Sequence, residues 1–514
     1  MAIARSWSVA LVGMDAHLVE VEVDVATGLP RFILTALSDR VLRHVEHRVH
    51  SAVTNSGEQW PARKITVGLL PATVPKAGSR FDLPIALALL IAAQALPAGD
   101  LDEWVVLGEL SLTGAVKDVT GVLPSVVGAY RAGRRKFIVP RANYGEARLI
   151  TDAEIVGVGS LAEVCEWLRG EAPRPTTPEV EAVPSDDEVP DLADVVGQPA
   201  ARRAIEVAAA GGHHLFMKGS PGVGKTMLAE RLPALLPDLT TDEAMEVTAI
   251  HSVAGLLKPG RPLITRPPFC APHHSASTPA IVGGGSGIAA PGAISLAHRG
   301  VLFLDEAPEF GPRSLDALRQ PLESGEVTIQ RSAAVAKYPS RFLLVLAANP
   351  CPCSAGGREP GQGCICSSPV RSRYLGRISG PLLDRIDITI TLESVSRAVL
   401  ESGVRGEATA VVRERVLAAR DRARHRLSDT PWATVGEVPG PVVRRRWAVP
   451  RETTRPLYRA LDRGNLSTRA LDRILKIAWT LADLAELSRP GIEQVQEAHA
   501  LRTGYGVAAL PRPA

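Results

Sequence analysis

Read for the spacing of its apolar residues, the middle of the chain changes period several times. Residues 201–211 carry apolar side chains at helical spacing, 214–218 form a short apolar run of strand length, and 226–236 return to helical spacing. Residues 300–304 and 342–348 are two more nearly unbroken apolar runs, the pattern of strands buried on both faces. Helices alternating with such strands predict an α/β unit with a mainly parallel sheet. Upstream, strand-like runs at 10–13 and 19–23 alternate with helical stretches at 41–55 and 84–95, so a separate α/β domain is expected over residues 1–170. Beyond residue 395 the strand signals fade, and Leu471, Ile474, Leu475, Ala478, Leu481 and Ala482 recur at helical spacing. A helical C-terminal domain is expected over 396–514. Residues 171–190 (EAPRPTTPEVEAVPSDDEVP) are rich in proline and acids and have no apolar period, so they read as a linker, leaving 191–395 for the central unit.

A chain of 514 residues exceeds one hydrophobic core, and 45% hydrophobic with 22% charged residues is an ordinary globular balance. The longest apolar run, 83–96, is interrupted by Pro84 and Gln94 and is too short to span a bilayer. The first residues lack a signal-peptide pattern, so a cytoplasmic protein with no membrane partner is expected. The formal net charge of +3 is too small to argue for a nucleic-acid partner. Residues 401–514 hold 20 Lys+Arg against 13 Asp+Glu, including Arg444, Arg445 and Arg446. On charge alone, that excess reads at least as well as a solvated face.

The chemistry concentrates at the ends of the predicted strands. Gly219, Ser220, Pro221, Gly222, Val223, Gly224, Lys225 and Thr226 spell the full phosphate-loop pattern, between a predicted strand and a predicted helix. Its glycines let the backbone approach phosphates, Lys225 reaches the β- and γ-phosphates, and Thr226 offers a hydroxyl to Mg²⁺. The apolar run 301–304 ends in Asp305 and Glu306, one carboxylate to hold the metal and one to polarise the attacking water. The next run ends at Asn349, an amide able to sense the γ-phosphate. ATP and Mg²⁺ are the cofactors this site calls for.

These motifs, in this order, resemble AAA+ ATPases. Val195-Val-Gly-Gln198 resembles the adenine-side motif of that class, and three longer strings resemble the magnesium-chelatase-like ComM/YifB family. They are PGAISLAHRGVLFLDE at 291–306, NPCPC at 349–353 and SGPLLDRID at 379–387. The resemblance implies that Arg385 is an arginine finger reaching a neighbour's site and that Arg469 is the second sensor on a lid. It also implies a homo-oligomeric ring, a hexamer in this family. A hairpin from Glu323 through Arg331 to Lys337 corresponds to one that faces the pore of related helicase-type motors, making Arg331 and Lys337 candidate DNA phosphate contacts. Residues 283–287 are either a second pore loop or a plain flexible loop.

The first domain resembles the Lon protease fold through 75–82 (PKAGSRFD) and 108–114 (GELSLTG). Lon-type peptidases use a Ser-Lys pair. In register with that motif, Arg80 stands at the serine position and Leu123 at the lysine position, while Ser79 and Lys117 are out of place, so a degenerate fold is expected. Cys351, Cys353, Cys364 and Cys366 suit a structural Zn²⁺, with free thiols as the alternative. His273 and His274 are a second possible ligand pair. Two main classes of function fit: a DNA motor of helicase or branch-migration type, and the ATPase subunit of a magnesium-chelatase-type metal-insertion complex. ATP-dependent proteolysis is disfavoured by Arg80 and Leu123.

Overall fold

The computed structural model describes residues 2–35, 39–76, 78–99, 101–176, 190–258, 260–285, 289–331, 334–353, 366–401 and 405–504. Most of the expected linker, Gly287 and Cys364 lie outside these residues.

The first large sheet has seven strands in the order Arg31–Leu34, Lys64–Leu70, Asp15–Ala26, Ala2–Val12, Trp104–Val106, Lys136–Pro140 and Glu154–Val158. Alternation in Asp15–Ala26 turns Val19, Val21, Val23 and Val25 inward, where helices Asp39–Asn55 and Asp82–Ala92 cover them. Helix Val122–Arg131 covers part of the other face. The expected strands at 10–13 and 19–23 are pieces of one long antiparallel hairpin that turns at Gly13.

The second sheet has five parallel strands in the order Phe269–Cys270, Val301–Leu304, Leu343–Ala348, Leu215–Lys218 and Ile388–Thr391. Every residue of Val301–Leu304 and Leu343–Ala348 is buried, as their unbroken apolar runs require of a sheet covered on both faces. On one face, helices Pro199–Gly211 and Lys225–Leu235 share a single core with the C-terminal helices Thr409–Arg426 and Thr468–Leu484. The C-terminal helices are therefore built into the sheet's own core. The opposite face carries the hairpin Glu326–Gln330 with Val335–Pro339.

The two sheets also meet. Helix Thr241–Ala254 ends against helix Val122–Arg131, where Ser252 donates its hydroxyl to the buried Glu146 and its carbonyl accepts from Gly121 N. The Gly13 turn rests on the hairpin, so close that a Cβ there would lie 3.1 Å from the backbone of Lys337. Gly13 also has φ +66°, and both features make a larger residue strained there.

Several basic side chains of 401–514 form ion pairs within the chain, among them Arg415 with Glu206 and Glu407, Arg426 with Asp483, Arg444 with Asp472 and Arg446 with Asp429. Part of the excess is therefore paired with acids outside the segment, such as Glu206, Asp238, Asp384 and Asp387. Among the described residues no helix is long and apolar enough to cross a membrane.

One buried cluster ties the C-terminal helices to the sheet. Asp387, 1% exposed, accepts from Arg473 at 2.7 Å and meets His213 Nδ1 at 3.3 Å. Burial alone would raise its pKa, but Arg473, His213 and Lys476 outweigh it and hold the carboxyl below the ordinary range. Lys476, buried beside it, is lowered to about 8 by desolvation. Removing the carboxylate would strand Arg473 and Lys476, so Asp387→Ala is expected to cost about 3–5 kcal/mol of stability. Asp421→Ala, whose partner Arg424 lies on the surface, should cost less than about 1 kcal/mol. Denaturation of the two variants checks the contrast; equal midpoints would show that the cluster does not hold the helices.

Candidate functional site

Three strand ends converge on the loop that follows Leu215–Lys218. Within it Gly224 has φ +95°, a left-handed conformation that keeps glycine there and turns the chain into helix Lys225–Leu235. Lys225 is buried and donates to the carbonyls of Gly219 (2.8 Å) and Ser220 (3.0 Å) and to Asn349 Oδ1 (3.0 Å). Burial lowers its pKa, against the pull of Asp305 and Glu306. Asn349 reaches it because Leu343–Ala348 lies directly beside Leu215–Lys218, with Ala348 opposite Lys218. Pro221, Gly222 and Val223 complete the turn. Gln198, itself at φ +53°, donates to the Val223 carbonyl at 3.3 Å and the Glu393 carbonyl at 2.5 Å, bracing the loop from behind.

Across the loop, Thr226 Oγ1 donates to Asp305 Oδ2 at 2.9 Å. A hydroxyl and a carboxylate side by side fit the few hard oxygen ligands that Mg²⁺ takes from a protein when phosphates and water supply the rest. Asp305 Oδ1 accepts from Glu306 N at 2.8 Å, and Glu306 has φ +50°, a left-handed backbone that a non-glycine residue adopts at some cost. That turn lifts the second carboxylate out of line with the strand.

Arg385 and Arg469 belong to the opposite edge of the sheet. Ile388 is paired with Leu215 and Thr391 with Lys218, so the phosphate loop follows the C-terminal strand ends while Arg385 precedes an N-terminal one. About 3.3 Å per residue puts the two edges more than roughly 10 Å apart. Arg385 donates to the Pro381 carbonyl at 2.6 Å and pairs with Glu323, and its Nε is buried with no hydrogen-bond partner among the described residues. Arg469 pairs with Asp384 at 3.0 Å. Finger and lid-sensor candidates thus stand together, and neither touches its own chain's Lys225 in any described contact. Arg377 instead pairs with Glu309 at 2.9 Å, on the Glu306 side.

The family description "Magnesium chelatase, subunit ChlI" matches residues 191–400, a second ChlI description matches 21–143, and the ChlI C-terminal description matches 406–502. The chain is 51% identical over 505 residues to an uncharacterised Mycobacterium tuberculosis protein, covering 98% of this chain and 99% of that one. It is 42% identical to the uncharacterised protein YifB of Escherichia coli over 96% of each chain. Against the competence protein ComM of Haemophilus influenzae it is 41% identical over 100% of this chain and 98% of that protein. The chain belongs to the magnesium-chelatase-like ComM/YifB family.

Features that set this family member's periphery are also in view. The hairpin forms as expected, with Arg331 and Lys337 exposed; Arg331 Nη2 lies 2.8 Å from where a Cβ on Gly284 would be. Gly283 and Gly284 are not a plain loop: they pair antiparallel with Pro291 and Ala290. The sulfurs of Cys351, Cys353 and Cys366 lie within 4.8 Å of one another, the approach that thiolate ligands of one tetrahedral ion require. In the first domain, Arg80 donates to the Thr120 carbonyl (2.7 Å) and to Ser125 Oγ (3.3 Å), straddling the stretch that holds Leu123, which is fully buried. Burial lowers the Arg80 pKa to about 10. Ser79 bonds to Glu109, and Lys117 opposes Glu109 in a two-residue ladder.

One neighbour of the acidic pair escapes a reading of motifs. His274 Nδ1 lies 3.3 Å from Glu306 Oε2. The signal was the His273-His274 pair just after Phe269–Cys270, but nothing in the sequence says that this strand lies beside Val301–Leu304.

Proposed function

We propose that this chain is an ATP-hydrolysing AAA+ ring motor that acts on DNA, a helicase or branch-migration factor of recombination or natural transformation. The ATPase part is carried by one observation: the phosphate loop with its acidic pair occupies one sheet edge, while Arg385 occupies the other. An arginine that cannot reach its own loop is suited to complete a neighbour's, which is the logic of a ring, expected here to be a hexamer. Arg469 beside it extends the same reading, acting across the boundary as well.

In this mechanism Lys225 offsets phosphate charge, and Thr226 with Asp305 would hold the metal. Bound Mg²⁺ would neutralise charge on the phosphate oxygens. Glu306 orients the attacking water, and Asn349, bound to Lys225, senses the γ-phosphate. The guanidinium of Arg385 stabilises charge that develops in the neighbour's transition state. Support for DNA comes from the full-length match to a protein named for competence and from the exposed cations Arg331 and Lys337 on the hairpin. The first domain reads as a degenerate Lon-like fold without a peptidase dyad, kept for assembly or DNA contact. The family description favours a second reading, the ATPase subunit of a magnesium-chelatase-type complex. A structural Zn²⁺ on Cys351, Cys353, Cys366 and Cys364, the last outside the described residues, fits both.

Lys225→Ala is expected to abolish ATP turnover and Glu306→Gln to trap bound ATP. Arg385→Ala should bind ATP nearly normally yet turn over about a thousandfold more slowly. Mixing Arg385→Ala with Lys225→Ala subunits should recover part of the hydrolysis, because the second still offers its finger to the first. No recovery between folded, exchanging variants would remove Arg385 from the site. DNA should stimulate the wild-type ring, less so as salt rises; stimulation only by a porphyrin-binding partner would favour the chelatase.

Two further outcomes concern the periphery. Elemental analysis of protein purified without chelator should find one Zn²⁺ per chain, and a content near zero sinks the zinc site. Unfolded substrates with ATP should not be cleaved; cleavage abolished by Ser79→Ala would restore the protease reading.

A further inference from the structure

The phosphate loop uses the C-terminal edge of the parallel sheet, the usual place for a ligand in such a sheet. The opposite edge also encloses space. A cavity of about 750 Å³, within the range of small-molecule sites, lies against His214, Gly300, Phe342 and Arg385, the residues that lead into four of the strands. Its other wall comes from the C-terminal helices and their connections, through Arg420, Trp432 and Lys476.

That wall is rich in donors and short of acceptors. Its acids are occupied: Glu323 pairs with Arg385, Glu243 with Arg299 at 3.2 Å and Asp238 with Arg413 at 3.0 Å, while Glu437 accepts from Ala433 N at 2.8 Å. Arg341 and Arg420, which also line the cavity, form no ion pair among the described residues. Both are held in place. Arg420 Nε donates to the Ala209 carbonyl at 2.8 Å, and Arg341 lies across Gly325, where a Cβ would sit 2.9 Å from its Cγ. Burial lowers the Arg420 pKa to about 10, so it remains a cation at neutral pH. His214 Nδ1 accepts from Leu344 N at 3.0 Å, and burial lowers its pKa to about 4, so the ring is neutral and its proton sits on Nε2 as a further donor. Among the described residues, seven buried side-chain atoms have no hydrogen bond, and three of them belong to this wall: Arg299 Nε, Ser340 Oγ and Arg385 Nε. Buried polar atoms are nearly always partnered, so their concentration around one cavity is what an acceptor-bearing occupant would relieve.

We propose that this cavity is a second phosphate site, which takes the phosphate groups of free pyrophosphate or of a nucleotide, with Arg420 and Arg341 as its charged contacts. Phosphate oxygens bring negative charge and acceptors, the complement of this wall. The volume admits a whole nucleotide, and the half-buried Trp432 offers a ring on which a base can lie. The site is distinct from the candidate finger and sensor pair. Arg469 lines a smaller adjoining recess with Asp384 and no part of this cavity. The proposal rests on neither the motor nor the chelatase reading.

The test is isothermal titration calorimetry of the full-length Lys225→Ala protein, whose phosphate loop lacks its lysine, with inorganic pyrophosphate and with ADP, both without Mg²⁺. Binding should weaken about tenfold or more when Arg420→Gln is added and about threefold or more with Arg341→Gln, as loss of charge-assisted hydrogen bonds requires. Arg424→Gln, one helical turn on and paired with Asp421 at the surface, should change nothing. ADP bound more tightly than pyrophosphate, with both sensitive to Arg420→Gln, would identify a nucleotide as the ligand; equal or weaker binding of ADP would identify the phosphates alone. Arg341 is exposed, so Arg341→Gln decides the matter if Arg420→Gln fails to fold. The proposal is overturned if neither ligand binds, or if every folded variant of Arg420 and Arg341 binds as the parent does. Loss of binding in Arg469→Ala with those variants unchanged would also overturn it, by placing the anion in the smaller recess.

Discussion

The strand Leu215–Lys218 lies between Leu343–Ala348 and Ile388–Thr391, all parallel, and that pairing organises the rest of the site. Because the strands are parallel, the loop after Lys218 and the amide after Ala348 emerge at one level, and the acidic pair after Leu304 leaves the same edge two residues earlier. The parallel sense also sends the segment before Ile388 to the far edge. One hydrogen-bonded ladder therefore both assembles the proposed catalytic cluster and separates it from Arg385 and Arg469, the arginines proposed to complete another copy of it. Burial of the strands on both faces makes this arrangement rigid, since a slip of one residue would turn apolar side chains out of two cores.

Around that ladder, several buried polar groups connect parts of the chain. Asp387 ties helix Thr468–Leu484 to the edge that bears Arg385, and Arg502 adds a bond to the Ile386 carbonyl. Glu146 joins the first domain to helix Thr241–Ala254 by way of Ser252 and also caps Leu123 N. The other end of that helix pairs Glu246 with His298, three residues before Val301–Leu304. The first domain, the sheet and the C-terminal helices are thus connected at their boundaries by specific hydrogen bonds as well as by apolar packing.

Much of this was legible in the chain alone. The periods of 2 and 3.6, the unbroken runs at 301–304 and 342–348, and the phosphate-loop spacing each follow from local geometry: side-chain direction along a strand or helix, and the backbone freedom of glycine. So the α/β units, the helical C-terminal part, and the roles open to Lys225, Thr226 and Asp305 could be read before any fold was known. The hairpin that carries Arg331 and Lys337 was legible for the same reason.

What only the tertiary structure decided depends on which strands become neighbours. Strand order sets Asn349 on Lys225, brings His274 to Glu306 and places Arg469 beside Arg385's edge, away from its own phosphate loop. It likewise pairs several basic residues of 401–514 with acids elsewhere in the chain, Arg415 with Glu206 more than 200 residues away in sequence. A sequence records each residue's chemistry and its local period, because those are properties of the residue and its near neighbours along the chain. Contacts across a sheet edge are set by burial of the whole apolar set at once, and no local window contains that information.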